Sequence, residues 1–307
     1  MRAFEIPLPA HHYVVLEHQP GPFTEAMNDE AKDDRVDPRS PRILMDFIYL
    51  QLIAGILMCG VGIGFIAWWR MKTQVRYRWF LIGGALWVIA VAGKVPFQYA
   101  VAPSVYPLLA ETFPRALELF FAGLYVGLIS SLFEIGLTLL AVLIWKSWGA
   151  NPRRGIGIAL GAGAIEALIL GLGVVLGVTV YLAGVPDTEV VREALEGPYE
   201  QTPLFWLLPP TERFLTVPVH TAARALVLLG VVTRRKSLVA GGFLLFMGLD
   251  GLVGGAHVAG LVEQVSMWWI LVIPLVFAVA SAFILKSLFG SWPDSEGAPV
   301  SGSQFRT

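Results

Sequence analysis

The stretch that decides the fold is TERFLTVPVHTAARALVLLGVVTRR, residues 211–235. It is apolar and long enough to cross a bilayer as a helix, since about 20 residues rising about 1.5 Å each span the hydrocarbon core. Yet it carries Glu212, Arg213, His220 and Arg224. An ionisable side chain inside a spanning helix costs roughly 2.5–3.5 kcal/mol on insertion scales, so such residues mark a functional site by default.

The composition places the whole chain among helical membrane proteins. Of 307 residues, 56% are hydrophobic and only 15% are charged, whereas soluble domains usually contain about 25% charged residues. The formal net charge is −1 and the basic residues are scattered among short loops. This pattern argues against a nucleic-acid partner and makes the lipid bilayer the first partner that the sequence predicts.

Seven apolar segments lie between two polar ends. We predict that residues 1–42 and 291–307 are disordered tails and that residues 43–290 form one transmembrane domain. The predicted spans are residues 43–69, 79–102, 117–145, 155–183, 211–232, 237–262 and 267–289. The predicted fold class is therefore an all-α, polytopic transmembrane helical bundle of about seven spans.

Loop charges predict the orientation of this bundle. The first, third and fifth loops are rich in Lys and Arg, whereas the fourth, GVPDTEVVREALEGPYEQT, has five acidic residues against Arg192. Because cytoplasmic loops carry the excess of Lys and Arg, we predict the N-terminus outside and the C-terminus inside. We expect the protein to lie in a prokaryotic plasma membrane. Glycines four positions apart, such as Gly157 with Gly161 and Gly251 with Gly255, predict close helix packing in the fourth and sixth spans.

Four spans are predicted to place an ionisable side chain at one depth. Glu134, Glu166, His220 and Asp250 each lie 12 to 14 positions from a basic loop residue at the same membrane face. At about 1.5 Å per residue this is roughly 18–21 Å, near or slightly beyond the bilayer middle. Uncompensated charges at this depth would oppose insertion, so we expect them to face one another or a wet cavity.

Three interpretations of this layer stay open. In the first, His220 and the carboxylates hold a divalent metal that activates a water, with one Glu as general base. In the second, they form a proton or ion relay of a transporter. In the third, Lys94 and Arg224 neutralise the acids as structural pairs between helices.

Glu212 and Arg213 admit two interpretations of their own. Two prolines precede them, and proline is best tolerated at helix starts. With Thr211 as N-cap, Glu212 would stabilise the helix dipole and the pair would lie at the outer membrane surface. Arg213 nevertheless shares one helical stripe with His220, and this stripe would face inwards.

Four stretches carry a resemblance to a known family. ALWVIAVAGKVPFQ, LFEIGLTLLAVLIWK, GIGIALGAGAIEALILG and ERFLTVPVHTAARALV follow one another between about residues 79 and 255. In this order they resemble the YhfC-like intramembrane peptidases, a group distantly similar to the CAAX prenyl proteases. The resemblance implies a zinc-dependent hydrolase whose substrate is a membrane-embedded or membrane-proximal peptide or protein.

The elements of this family supply two Glu residues, one from Phe-Glu-Glu and one from Gly-His-Gly-Gly-x-Glu. They also supply a Glu-Arg pair with a His eight positions after the Glu, and the Asp of His-x-x-x-Asp. The matching residues here are Glu134, Glu166, Glu212 with Arg213 and His220, and Asp250. The resemblance implies Glu134 and Glu166 as catalytic carboxylates, and His220 and Asp250 as metal ligands. The supporting residues would be Glu212, Arg213, Lys94 and Arg224.

Four ionisable residues of the family pattern are replaced in this chain. Ile135 replaces the second Glu, Thr138 an Arg, and Ala162 and Phe246 two His residues. A metallopeptidase site needs about three protein ligands and an open position for water. The alternative prediction is therefore a non-catalytic member that keeps the fold as a scaffold, or a transporter that uses the buried acids.

Overall fold

The computed structural model describes residues 41–184, 204–261 and 265–292, with side chains from residue 47 onward. Within these residues the chain forms helices and no strand, and seven helices are long and apolar enough to cross a membrane. They are α1 Pro41–Thr73, α2 Arg78–Thr112, α3 Arg115–Ile144, α4 Pro152–Leu182, α5 Leu208–Val232, α6 Lys236–Val258 and α7 Met267–Ser291. The predicted all-α bundle of seven spans is confirmed. The predicted tails lie largely, and the acidic fourth loop almost entirely, outside the described residues, and the predicted orientation stays a prediction.

Among the helix ends that differ from the prediction, two matter for the site. α2 continues to Thr112 rather than ending at residue 102, with Pro103 and Pro107 inside the helix. Neighbouring helices and water satisfy the carbonyls that proline frees in membrane helices, so proline there does not end the helix. The prediction of Thr211 as N-cap is wrong. α5 begins at Leu208 and takes its two prolines into the first turn, where their fixed φ suits a helix start.

α5 is the central helix of the bundle. It contacts α1, α4, α6 and α7. In its most apolar 18-residue window 78% of the residues are buried, whereas no other span exceeds 50%. The ionisable side chains of α5 therefore face protein rather than lipid, which is the arrangement that makes such residues tolerable in a membrane.

Glycines bring the helices that flank the site close together. A Cβ at Gly161 of α4 would collide with the backbone of Phe80 in α2. A Cβ at Gly251 of α6 would lie 3.0 Å from the carbonyl oxygen of Gly123 in α3. The close packing predicted for the fourth and sixth spans is confirmed, because at both positions the neighbouring backbone leaves little or no room for a side chain.

Candidate functional site

Polar side chains from five helices meet in a cavity of about 250 Å³ inside the bundle. The ionisable residues that line it are Lys94 of α2, Glu134 of α3, Glu166 of α4, Glu212, Arg213 and His220 of α5, and Asp250 of α6. The four residues expected at one depth, Glu134, Glu166, His220 and Asp250, therefore line one cavity. Arg224 lies one turn after His220 on α5 and contacts both His220 and Glu134.

Glu134 is a buried carboxylate of this cluster, and its side chain is only 3% exposed. Its Oε1 accepts a hydrogen bond from Nζ of Lys94 at 2.6 Å. Its Oε2 accepts one from Nη2 of Arg224 at 3.0 Å. Both oxygens are thus bound by cations, so for Glu134 the geometry matches the interpretation that Lys94 and Arg224 neutralise the acid.

The backbone around Glu134 is not a regular α-helix. Ser131–Ile135 form a single π-helical turn within α3. Such turns are rare and occur often at functional sites. Thr138, at the position of the family's Arg, donates its hydroxyl to the carbonyl oxygen of Glu134 at 3.0 Å. The stretch LFEIGL reads as an unbroken apolar helix, so the sequence carries no signal for this turn.

His220 lies between the two glutamates. Its Nδ1 is 4.0 Å from Oε2 of Glu134, and its Nε2 is 3.2 Å from Oε2 of Glu166. Nη1 of Arg224 lies 3.0 Å from the same Nδ1. Because a guanidinium only donates, Nδ1 must accept this hydrogen bond, and a neutral ring then carries its proton on Nε2. Neither ring nitrogen is left with a free lone pair.

Arg213 joins Glu166 to Glu212. Its Nη1 lies 2.5 Å from Oε1 of Glu166, and its Nη2 lies 2.6 Å from Oε1 of Glu212. Arg213 is 4% exposed, so the prediction that the pair lies at the outer membrane surface is wrong for this residue. Because α5 begins three residues earlier than predicted, Arg213 falls in its second turn. It faces the cavity on the same stripe as His220. Glu212 pairs with Arg213 and does not cap the helix.

Some polar atoms of the cavity have no hydrogen-bond partner among the described residues. They include Oε2 of Glu166 and the hydroxyl of Tyr125. Although Nε2 of His220 is 3.2 Å from that oxygen, the contact is not aligned as a hydrogen bond. Asp250 interacts with the hydroxyl of Ser130. A buried acceptor without a donor indicates a place for water or a ligand.

Phe246 occupies the space beside His220. Its ring is fully buried and meets the imidazole edge to face, with 4.8 Å between ring centroids. The guanidinium carbon of Arg224 lies 5.4 Å from the same ring. This is the position where the family pattern has a His, so the replacement removes an imidazole from the immediate neighbourhood of His220. Ala162, the other such position, is also fully buried.

Sequence reasoning missed the aromatic part of the cavity. This part is lined by three tyrosines and one glutamine, which are Tyr99, Tyr106 and Gln98 of α2 and Tyr125 of α3. The rings of Tyr106 and Tyr125 meet edge to face at 5.9 Å. Tyr106 lies beyond the predicted end of the second span. The signal available was the spacing of seven between Tyr99 and Tyr106, which puts both on one helix face.

Seven apolar helices around a buried polar cavity define an integral membrane protein. Residues 56–272 match the family of the YhfC intramembrane metalloprotease, and this match covers more than half of the chain. The chain therefore belongs to this family, as the resemblance predicted, and the matched part contains every ionisable residue of the cluster. No curated protein and no solved structure matches the chain.

The family name implies a metal, but the donors of this cluster do not fit a zinc centre. Within the described parts of the chain, no three His, Cys, Asp or Glu side chains are grouped so that they could hold one ion. Lys or Arg binds both oxygens of Glu134, one oxygen of Glu166 and Nδ1 of His220. The acceptors that remain, on Glu166 and Asp250, are fewer than the three ligands that catalytic zinc takes.

Proposed function

We propose that the protein is a non-hydrolytic member of the YhfC family that binds a membrane-embedded peptide segment in its polar cavity. The observation that carries the proposal is the engagement of Glu134 by Lys94 and Arg224. Each oxygen of this carboxylate already accepts a charged hydrogen bond, and a cation beside each oxygen opposes the transfer of a proton from water to it. His220 accepts a hydrogen bond from the same Arg224. The predicted general base, Glu134, and the predicted metal ligand, His220, are therefore both engaged by cations of the protein.

The cavity suits a peptide for a reason that comes from the bilayer. An unwound segment exposes backbone N–H groups that lipid cannot satisfy. Oε2 of Glu166, the carboxylate of Asp250 and the hydroxyl of Tyr125 offer acceptors inside the bundle. The family name, which specifies a protease, points to the same ligand class. We infer that the site retains the recognition of a peptide without its hydrolysis.

The outer half of α2 offers a route into the cavity. None of its residues from 91 to 112 is buried, and Pro96, Pro103 and Pro107 lie within it. Each proline removes a hydrogen bond from the helix. A loosely packed and weakened helix beside the cavity is suited to admit a segment from the bilayer side.

A metal-dependent hydrolase is the second candidate. It is favoured by the family match and by the 3.2 Å separation between Nε2 of His220 and Oε2 of Glu166. In this candidate Glu134 and Glu166 would be catalytic, and His220 and Asp250 would hold the metal. A transporter relay is disfavoured because the guanidinium groups that link the acids do not release protons.

Zinc content after dialysis of the purified protein distinguishes the two candidates. We expect far less than one zinc per chain in the wild type and no change in His220→Ala. Phe246→His adds an imidazole beside His220 and is expected to raise the zinc content. Ala162→His is the less informative restoration, because a fully buried alanine leaves no room for the larger ring. One zinc per wild-type chain that is lost in His220→Ala would overturn the proposal.

Peptide binding is tested by photo-crosslinking in lipid vesicles. A photoreactive amino acid replaces Tyr106, which lines the cavity, or Phe120, which is 61% exposed on α3. The probe is a synthetic single-spanning peptide with a central Gly-Gly pair. We expect crosslinking from position 106 only, with the peptide at full length by mass spectrometry. Fragments that disappear in Glu166→Gln would instead establish hydrolysis.

A further inference from the structure

A second cavity lies at the membrane face that carries the basic loops. It is a broad, open groove of about 810 Å³ between the end of α3 and the turn that joins α5 to α6. Its wall is mainly apolar and includes Leu139, Leu143, Val232 and Val239. Its rim is polar, with Lys146 and Ser147 on one side and Arg234 and Lys236 on the other.

Three cations lie at this rim. Lys146, Arg234 and Lys236 are exposed, and none has an ion-pair partner in the described parts of the chain. Other exposed cations at this face, such as Lys72 and Arg153, do not line the groove. Three unpaired cations are therefore gathered around one apolar groove.

Arg234 is held at the rim in a strained backbone conformation. Its φ is 59°, in the left-handed region. Its N–H bonds to the carbonyl of Val231 at 3.3 Å, and the N–H of Arg235 bonds to that of Gly230 at 2.8 Å. This is the Schellman end of a helix, where glycine is usual because a Cβ is strained. The fold holds an arginine rather than a glycine at this position, and its side chain lines the groove.

We propose that this groove binds an anionic glycerophospholipid. The three cations receive its phosphate, because Lys and Arg pair with phosphate oxygens through charge-assisted hydrogen bonds. The apolar wall receives an acyl chain. Basic pockets between membrane helices are known to take anionic head groups, whose lipids are enriched in the cytoplasmic leaflet. A zwitterionic lipid would fit the wall equally but would present no net negative charge to the rim.

The bound lipid has a structural consequence for the polar cavity. Lys146 follows α3, which carries Glu134, and Arg234 follows α5, which carries His220. A phosphate that contacts both ends ties these two helices together. We therefore expect anionic lipid to stabilise the helix pair that builds the site, whatever ligand the site takes.

The test compares phosphatidylglycerol with phosphatidylcholine added to the full chain in a neutral detergent. We expect phosphatidylglycerol to raise the unfolding temperature of the wild type by several degrees more than phosphatidylcholine. The triple variant Lys146→Gln/Arg234→Gln/Lys236→Gln should lose this difference. The control Lys72→Gln/Arg76→Gln/Arg153→Gln removes the same charge from the same face and should keep it. Equal shifts for both lipids, or an equal loss in the control, would overturn the proposal.

Arg234→Gly separates lipid binding from folding. Glycine relieves the left-handed backbone, so the variant should unfold at a higher temperature than the wild type without lipid. Its apparent affinity for phosphatidylglycerol, followed by native mass spectrometry, should fall roughly fivefold, as expected for one surface cation. An unchanged affinity would sink the proposal, because the variant removes a rim cation while improving the fold.

Discussion

Nη2 of Arg224 donates to Oε2 of Glu134 at 3.0 Å across 90 positions of the chain. The side chains are 1% and 3% exposed. Removing one partner of such a buried pair leaves an uncompensated charge, which is strongly destabilising. The pair also joins α3 to α5, and Arg224 holds His220 at the same time. The cluster therefore contributes to the stability of the bundle as well as to the chemistry of the cavity.

A double-mutant cycle should measure this coupling. We expect Arg224→Met to lower the free energy of unfolding in detergent micelles by about 3–5 kcal/mol, since it leaves Glu134 with one cation. Glu134→Gln together with Arg224→Met should be less destabilising than the sum of the single changes, with a coupling of roughly 1–3 kcal/mol. Arg115→Met is the control, because the Arg115 side chain is 61% exposed and its pair should contribute under about 1 kcal/mol. Additive effects would show that the buried pair is not coupled.

Arg213→Lys should be destabilising although it conserves the charge. The two Nη atoms of Arg213 bind Glu166 and Glu212 separately, and a single ammonium on a different stem does not reproduce this fork. Losing one charged hydrogen bond should lower the free energy of unfolding by about 2 kcal/mol. Arg115→Lys provides the exposed comparison. A lysine variant as stable as the wild type would mean that one of the two contacts contributes nothing.

The membrane made the count of helices and the depth of the cluster predictable. A span needs a long apolar run, and a buried charge needs a partner, so Glu134, Glu166 and His220 were expected to meet. Arg213 faces inwards on the stripe that it shares with His220, as its spacing of seven predicted. Its pairing with both Glu166 and Glu212 was not predictable, because it depends on how α4 and α5 pack against each other. The π-helical turn at Glu134 leaves no mark in an apolar sequence.

Helix packing gives a prediction with an internal control. A Cβ at Gly161 would collide with the backbone of Phe80, whereas a Cβ at Gly60 of α1 would meet nothing within 4 Å. We expect Gly161→Ala to lower the free energy of unfolding by about 1–3 kcal/mol through overpacking. Gly60→Ala should be neutral or stabilising by up to about 1 kcal/mol, because alanine is the better helix former. Thermal unfolding of both variants in one detergent checks the pair; equal effects would contradict the close contact of α2 with α4.

The orientation of the bundle decides which leaflet of the membrane the lipid groove faces in the cell. Basic loops are retained in the cytoplasm, so Ser147, between α3 and α4, should lie inside and Thr112, at the far end of α2, outside. In a Cys59→Ser background, we expect a membrane-impermeant maleimide to label Thr112→Cys in intact cells and Ser147→Cys only after lysis. Labelling of Ser147→Cys in intact cells would reverse the orientation. The groove beside Ser147 would then face the outer leaflet, where the anionic lipid proposed for it is scarcer.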